Sequence, residues 1–242
     1  MAMSNLDTFV RSSRPAPAVV ATSQEIRDRG SIFVGSVYRA TNPEEAKAAL
    51  HYHKHVVHAG KDVYEISAWR CMVLKSGRTG LSGPDDFELR TGFDDGGEQW
   101  AGSKILKIMQ TEGVIDAIVI VSRWFGGTLL GPTRFRHVET CAGEVCRKFN
   151  KVVETDESIQ TLSTLDDLLA TLREELNTLK SGPSSSETCV DTGERPSMKK
   201  APDYSTLRDT LDLSKARRLI HARESAIQVV KSLIAKHKDE DK

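Results

Sequence analysis

The stretch IVIVSRWFGGTLLGPTRFRHVETC, Ile118 to Cys141, falls into three parts. A run of β-branched residues stops at Ser122-Arg123. The aromatic pair Trp124-Phe125 then meets Gly126-Gly127, and Gly131-Pro132 opens a segment carrying Arg134 and Arg136. Read with the residues before it as VIDAIVIVS, the apolar run predicts a strand buried on both faces or nearly so. From Thr133 the spacing predicts a helix, with Phe135, Val138, Ala142, Val145 and Phe149 roughly in line.

Working outward, SIFVGSVYRA (Ser31–Ala40) alternates in the manner of a strand, Ile32, Val34, Ser36 and Tyr38 against Phe33, Gly35 and Val37. A helix start follows in TNPEEAKAAL. Asn42 suits the cap, Pro43 the first helical position, and Glu44 and Glu45 the positive end of the dipole. ISAWRCMVL (Ile66–Leu74) predicts a second strand. The glycine-rich, acidic segment after it reads as a long loop with room for a short hairpin. EQWAGSKILKIMQTEG is helical, with Ala101, Ile105, Ile108 and Met109 on one face and Gly113 as the stop. Strands and helices alternate to about Asn150, which predicts one compact α/β or α+β domain.

The chain of 242 residues has a net charge of zero, which gives no global pull toward nucleic acid or anionic membrane. No run approaches the ~20 apolar residues of a membrane span, and the opening residues lack the apolar core of a secretory signal. Cys71, Cys141, Cys146 and Cys189 match neither zinc-knuckle nor redox spacing, so reduced thiols in a cytoplasmic or nuclear protein are expected.

Beyond the domain the composition changes. Leu162, Leu165, Leu169, Leu172, Leu176 and Leu179 repeat at three-four spacing, a heptad seam on a helix read over 158–180. The seam is short, so it needs a partner: a second copy, another protein or the chain itself. Residues 181–203 read as a disordered Ser/Pro/Lys linker. Residues 204–238 read as a basic amphipathic helix carrying Ile220, Ile227, Val230 and Ile234, either folded back on the leucine helix or offering its charged face to a membrane or nucleic acid. Residues 1–22 are read as a flexible start.

Several motifs invite chemistry. GEQWAGSK (Gly97–Lys104) has the glycine spacing of a phosphate-binding loop, but Ser103 precedes Lys104, the reverse of the required order. His51, His55 and His58 in HYHKHVVH lie at helical spacing, but Lys47 and Lys54 share that side. The reading is a solvated basic face, with no metal site and no cofactor expected. Asp94, Asp95 and Glu98 sit among glycines without the fixed offsets of a calcium loop, which leaves turn chemistry, a helix cap or pairing with arginines. A helix N-terminus carries unsatisfied N–H groups and favours anions. Arg134 and Arg136 in its first turn, Arg123 before the glycines and His137 after therefore need a negative partner. The candidates are the Asp94–Glu98 loop from within, or a phosphate or acidic peptide from outside. Gly126, Gly127 and Gly131 let backbone approach that anion, while Trp124 and Phe125 cap the core or bind. No arrangement of nucleophile, base or paired carboxylates points to an enzyme.

GSKILKIMQTEGVIDAIVIVSRWFGGTLLG (Gly102–Gly131) closely resembles the signature of the IMPACT family: a glycine, spaced aliphatics, then an arginine, two aromatics, Gly-Gly and a final glycine. DDGGEQWAGSKIL (Asp94–Leu106) is similar to the family's acidic loop, QEIRDRGSIF (Gln24–Phe33) to its entry strand, and GPTRFRHVETCA (Gly131–Ala142) to the helix that follows. VVHAGKDVYEISAWR (Val56–Arg70) looks like the family's Thr-His-Asn…Ala-Tyr-Arg segment stretched by insertion, with His58 and Trp69-Arg70 retained. The resemblance covers about Ser23 to Phe149, and the domain is set at 23–150.

It implies a two-layer α+β sandwich, a four-stranded sheet with helices on one face, like the second domain of small-subunit ribosomal protein five. Eukaryotic members regulate translation by binding the ribosome-associated activator of the amino-acid-starvation kinase, and so restrain phosphorylation of the initiation factor. Those members usually carry an N-terminal RWD domain, where about twenty residues precede the match here. Bacterial members carry a ferredoxin-like C-terminal domain, which the helical tail does not match. The resemblance thus implies a protein-binding regulator. An RNA- or ribosome-binding module is the alternative, suggested by the ribosomal-protein-like fold and the arginines. Self-association through the leucine helix is a further expectation.

Overall fold

The protein is described here by a computed structural model over residues 15–181 and 202–240. The flexible start falls outside the described residues up to 14, and the expected linker falls outside them from 182 to 201, Cys189 with it. The chain divides into two compact units at Asn150/Lys151.

The first unit is built on one antiparallel sheet. Its strands are β1 (Val19–Thr22), β2 (Ile26–Asp28), β3 (Ser31–Arg39), β4 (Tyr64–Leu74), β5 (Phe87–Asp94) and β6 (Ala117–Trp124), in the order β1-β3-β6-β4-β5, with β2 also paired to β3. The four strands β3 to β6 make the expected sheet. The two short strands extend it at the β3 edge, so β1 takes up residues read from the sequence as part of a flexible start. Its paired valines suit a half-buried pleat. β2 and β3 form a hairpin through Arg29 and Gly30, both at positive φ, as a two-residue turn requires. The acidic loop contains a full strand: β5 pairs with β4 from Ser67↔Asp94 to Leu74↔Phe87.

The cross-strand register decides which side chains share a face. Tyr38 pairs with Ile118 and Ser36 with Ile120, while Phe33 pairs with Arg123, Gly35 with Val121 and Val37 with Val119. Tyr38, Ile118 and Ile120 pack with Cys71 under Ala46 and Ala49 of helix α1 (Pro43–Tyr52). On the opposite face, Gly35 lies against α3 (Thr133–Ser181): a Cβ built there meets the Cys141 carbonyl oxygen at 3.0 Å and Val145 at 3.2 Å. Helix α2 (Ala101–Thr111) shares that face, since Arg70 Nη1 donates to the carbonyls of Met109 and Val114 at 2.9 and 2.7 Å. The α+β sandwich of sheet and packed helices therefore stands, but the helices do not all lie on one face. Two cover one side and α1 covers the other, which is why every residue of β6 except Trp124 is buried. The α1 start is as read: Asn42 accepts from the Glu45 N–H at 2.8 Å, with Pro43 at the first helical position.

α3 does not stop near Asn150; it runs unbroken to Ser181 and carries the leucine row into the second unit. There α4 (Ser205–Thr210) and α5 (Leu213–Glu240) follow, with Leu211 in the left-handed region between them. Leu169 and Leu176 pack on Ile227, Val230 and Ile234, and Leu162 packs on Leu207 and Ala216. The seam is covered by its own chain, so it is not a free surface for self-association. Arg208–Asp156, Arg223–Asp166 and Lys238–Glu175 pairs at 3.2, 2.5 and 2.8 Å flank the hairpin. Among the described residues no helix is long and apolar enough to cross a membrane.

Cys71, Cys141 and Cys146 are fully buried, and burial pushes all three thiols up, Cys71 and Cys146 to about 12. The thiolate is the reactive form, so these positions are inert while the fold holds. Iodoacetamide at pH 8 is expected to leave all three unmodified in the native protein and to label them in denaturant, as read by peptide mass spectrometry.

Candidate functional site

The residues singled out from the sequence divide into three groups. Glu98 and Arg123 are both buried and form an ion pair, with Arg123 Nη1 donating to Glu98 Oε1. Arg134 Nε lies 2.8 Å from Glu98 Oε2, though its N–H does not point along that line. One carboxylate from the loop before α2 thus joins the end of β6 to the first turn of α3. Burial, and then the charge of Arg134, push the Arg123 guanidinium down from its ordinary range. Aromatic rings surround it: the guanidinium carbon is 5.4, 5.5 and 6.0 Å from the ring centres of Phe125, Phe33 and Tyr64. Arg134 in turn stands 4.6 Å from the Phe135 ring.

A second group shapes backbone. Asp94 Oδ1 accepts from Gly96 N–H at 2.9 Å. Asp95 accepts from the Trp100 and Gly102 N–H groups at 3.0 and 2.8 Å, capping α2. Gly126 presses on the β2–β3 turn, where an added Cβ would meet the Gly30 carbonyl carbon at 2.0 Å. Its N–H donates to Ser31 Oγ at 3.2 Å. Gly127 and Gly131 hold φ of +81° and +58°, in the region glycine favours.

The third group departs from the expected cluster. His137 Nε2 lies 2.8 Å from Asp28 Oδ2, and its ring is 5.1 Å from Phe33. Arg136 is exposed and lines a shallow groove with Ile108, Glu112 and Arg147, away from Glu98. The expectation that Asp94, Asp95 and Arg136 belong to one charge cluster is therefore corrected. Both aspartates are used locally by N–H groups, and the two residues from Arg134 to Arg136, roughly 200° of helix, carry Arg136 round to another side.

The histidine run also behaves differently. His51 and His55 are exposed with ring centres 4.3 Å apart, a solvated pair. After Tyr52, however, the helix widens into a π turn over His53–Val57, closed by His58 N–H donating to the His53 carbonyl at 3.0 Å. In an α-helix, positions five apart lie roughly 140° apart. A π turn brings them nearly into line, and such turns occur often at functional sites. His58 consequently leaves the face of His51 and His55 and joins His53 over the sheet, their ring centres 4.5 Å apart.

Beneath them lie Glu65 and Ser122, directly opposite one another on β4 and β6 and both about 1% exposed. Tyr38 Oη is 2.6 Å from His53 Nδ1, and His53 Nε2 is 3.1 Å from Ser122 Oγ. Ser122 donates to Glu65 Oε2 at 2.7 Å, and Glu65 Oε1 is 2.5 Å from His58 Nδ1. His58 also meets the Trp124 ring edge-on, with centres 5.0 Å apart. Burial pushes the His53 imidazole down from its usual range, more than the Glu65 charge raises it.

The residue types are those of a serine hydrolase, but the connectivity is not. The carboxylate holds the serine rather than His53 Nδ1, which faces Tyr38, and the serine is out of reach of solvent. Sequence reasoning missed this cluster because it assumed a 3.6-residue period through HYHKHVVH. The available signal was a glutamate and a serine inside two apolar strands.

Replacing Glu98 by alanine leaves Arg123 buried without its carboxylate. The expected cost is about 3–5 kcal/mol, against about 1 kcal/mol for Arg134→Ala, which removes a partly exposed cation and leaves Glu98 paired with Arg123. Urea denaturation measures both.

Residues 29–146 match the family described as the Impact N-terminal domain. Protein IMPACT of Mus musculus is 33% identical over 146 residues, which cover 59% of this chain and 42% of the relative. Protein IMPACT homolog of Saccharomyces cerevisiae is 36% identical over 122 residues, covering 50% of this chain and 43% of the relative. The chain thus spans about two fifths of the length of these curated relatives. A solved structure of the two-domain translational regulator Yih1 is 32% identical, with a TM-score of 0.34 over 55% of this chain and 47% of that one. The Glu98 loop, the SRWFGG turn and the start of the helix that receives them all lie inside the matched segment, so it is residues 29–146 of this chain that match the IMPACT family.

Proposed function

We propose that this protein is a non-enzymatic, cytoplasmic regulator of translation during amino-acid starvation. It binds the ribosome-associated activator of the initiation-factor kinase and so restrains the kinase. The observation that carries this reading is the Impact-domain match over 29–146, which takes in the whole β3–β6 sheet and its helices up to Cys146.

The geometry around the matched turn supports a protein partner over a phosphate. Arg123 and Arg134 are committed to Glu98, so the arginines of the turn do not stand as a free anion site. What the same region shows to solvent is apolar: Phe125 is 47% exposed, Trp100 65% and Leu129 81%. Aromatic anchors over a rigid, internally paired base are the usual energetic centre of a protein interface. The buried serine, whose histidine lacks a carboxylate on Nδ1, likewise supports a binding role rather than hydrolysis.

Overproduction in amino-acid-starved cells is expected to lower phosphorylated initiation factor, read by blotting, and Phe125→Ala combined with Leu129→Ser is expected to abolish that effect without unfolding the domain. Unchanged phosphorylation, together with RNA binding that weakens steeply with salt, would instead favour an RNA- or ribosome-binding module.

A further inference from the structure

We propose that His53, His58 and Glu65 form a binding site for a divalent transition-metal ion, zinc by the character of its donors. Each offers one ligand atom, and the three atoms lie within 4.8 Å of one another. Two imidazoles and a carboxylate are a zinc donor set that leaves a fourth position open. Here His58 and Glu65 reach the wall of a cleft of about 340 Å³, so that position has access to solvent. The site is separate from the Glu98 network: Ser122 and Arg123 are neighbours on β6 and point to opposite faces of the sheet.

The distances suit the ion after an adjustment at each histidine. Ligands about 2.0–2.1 Å from a tetrahedral zinc stand roughly 3.3 Å from each other. His53 Nε2 and Glu65 Oε2 are already 3.7 Å apart. His58 Nδ1 and Glu65 Oε1, at 2.5 Å, share a hydrogen. On metal binding that hydrogen moves to His58 Nε2 or to solvent, and the imidazole swings outward from its place at the end of the π turn. His53 gives up its Nε2 contact with Ser122 Oγ and presents Nε2 to the ion; the hydrogen from Nε2 moves to Nδ1, whose N–H then donates to Tyr38 Oη, the outer hydrogen bond that orients a ligating histidine. The cation also answers a cost within the fold: Glu65 is buried, and its ion-pair partners are histidines rather than a lysine or arginine. Lys54 and Lys61 line the cleft but are exposed, so water and salt screen them from the site.

The test uses the full, untagged chain, stripped with chelator and titrated with Zn²⁺ against a chromophoric competitor. Uptake of one equivalent is expected, weakened at least ten-fold by His58→Gln and by Glu65→Gln. Tyr38→Phe, which removes only a hydroxyl, is expected to weaken it by about 10–100-fold. His51→Gln with His55→Gln, at the exposed pair, should leave the affinity unchanged. Should a substitution unfold the domain, the Co²⁺ spectrum of the unsubstituted chain still decides: intense visible bands of a four-coordinate nitrogen–oxygen site support the proposal. Failure to take up one equivalent, affinity that follows His51 and His55, or a thiolate-to-cobalt charge-transfer band would overturn it.

Discussion

One buried carboxylate ties together three separate elements of the domain. Glu98 arrives on a loop after β5, Arg123 ends β6 and Arg134 opens α3, and the two cations meet on the one anion. A guanidinium buried under Phe33 is tolerable only with a partner of opposite charge at hydrogen-bond distance. The rest of the turn follows from that pairing. Asp95 caps α2 and so fixes the loop that delivers Glu98. Gly126 brings the backbone after Arg123 close against the β2–β3 turn, where a side chain would not fit.

The sheet carries a second polar cluster on its other face, one residue away in sequence. Alternation along β6 sends Arg123 toward α3 and Ser122 toward the end of α1. A strand buried on both faces must find partners for the polar side chains it contains, and these two do so through different neighbours. Arg123 uses a carboxylate from a loop. Ser122 uses a glutamate from β4 and a histidine from the π turn. The first arrangement is occupied by its own ion pairs, which leaves exposed aromatics as the surface available to a partner. The second has an open side and donors with lone pairs, which is why it suits an ion.

The second unit follows a simpler rule. A three-four repeat of leucines cannot stay in water as a bare stripe, and α5 supplies the isoleucines and valine that cover it. Its basic residues face outward or pair with Asp166 and Glu175, while Arg208 of α4 pairs with Asp156. The charge of this helix is thereby tied in part to its own hairpin.

Much of this was legible in the residues alone, because it rests on local rules. Period-two runs marked β3 and the apolar run marked β6; Asn42-Pro43 marked the start of α1; the family signature marked the turn. The need for an anion beside Arg123 and Arg134 also followed from helix-end electrostatics. Other features depended on through-space choices that no local rule contains. Which of three acids would meet the arginines was decided by loop geometry, since Asp94 and Asp95 are consumed by nearby N–H groups and only Glu98 reaches β6. That α1 covers the opposite face from α2 and α3 was decided by cross-strand register, which pairs Tyr38 with Ile118 and Gly35 with Val121. The histidines show the limit most clearly. Their identity and spacing were in plain view, but one π turn changed the period from 3.6 and moved His58 from the solvated row to the buried one. Sequence determines which groups are present and what each requires; tertiary packing decides which of them meet, because a change of a single residue in helical phase costs little locally and relocates a side chain entirely.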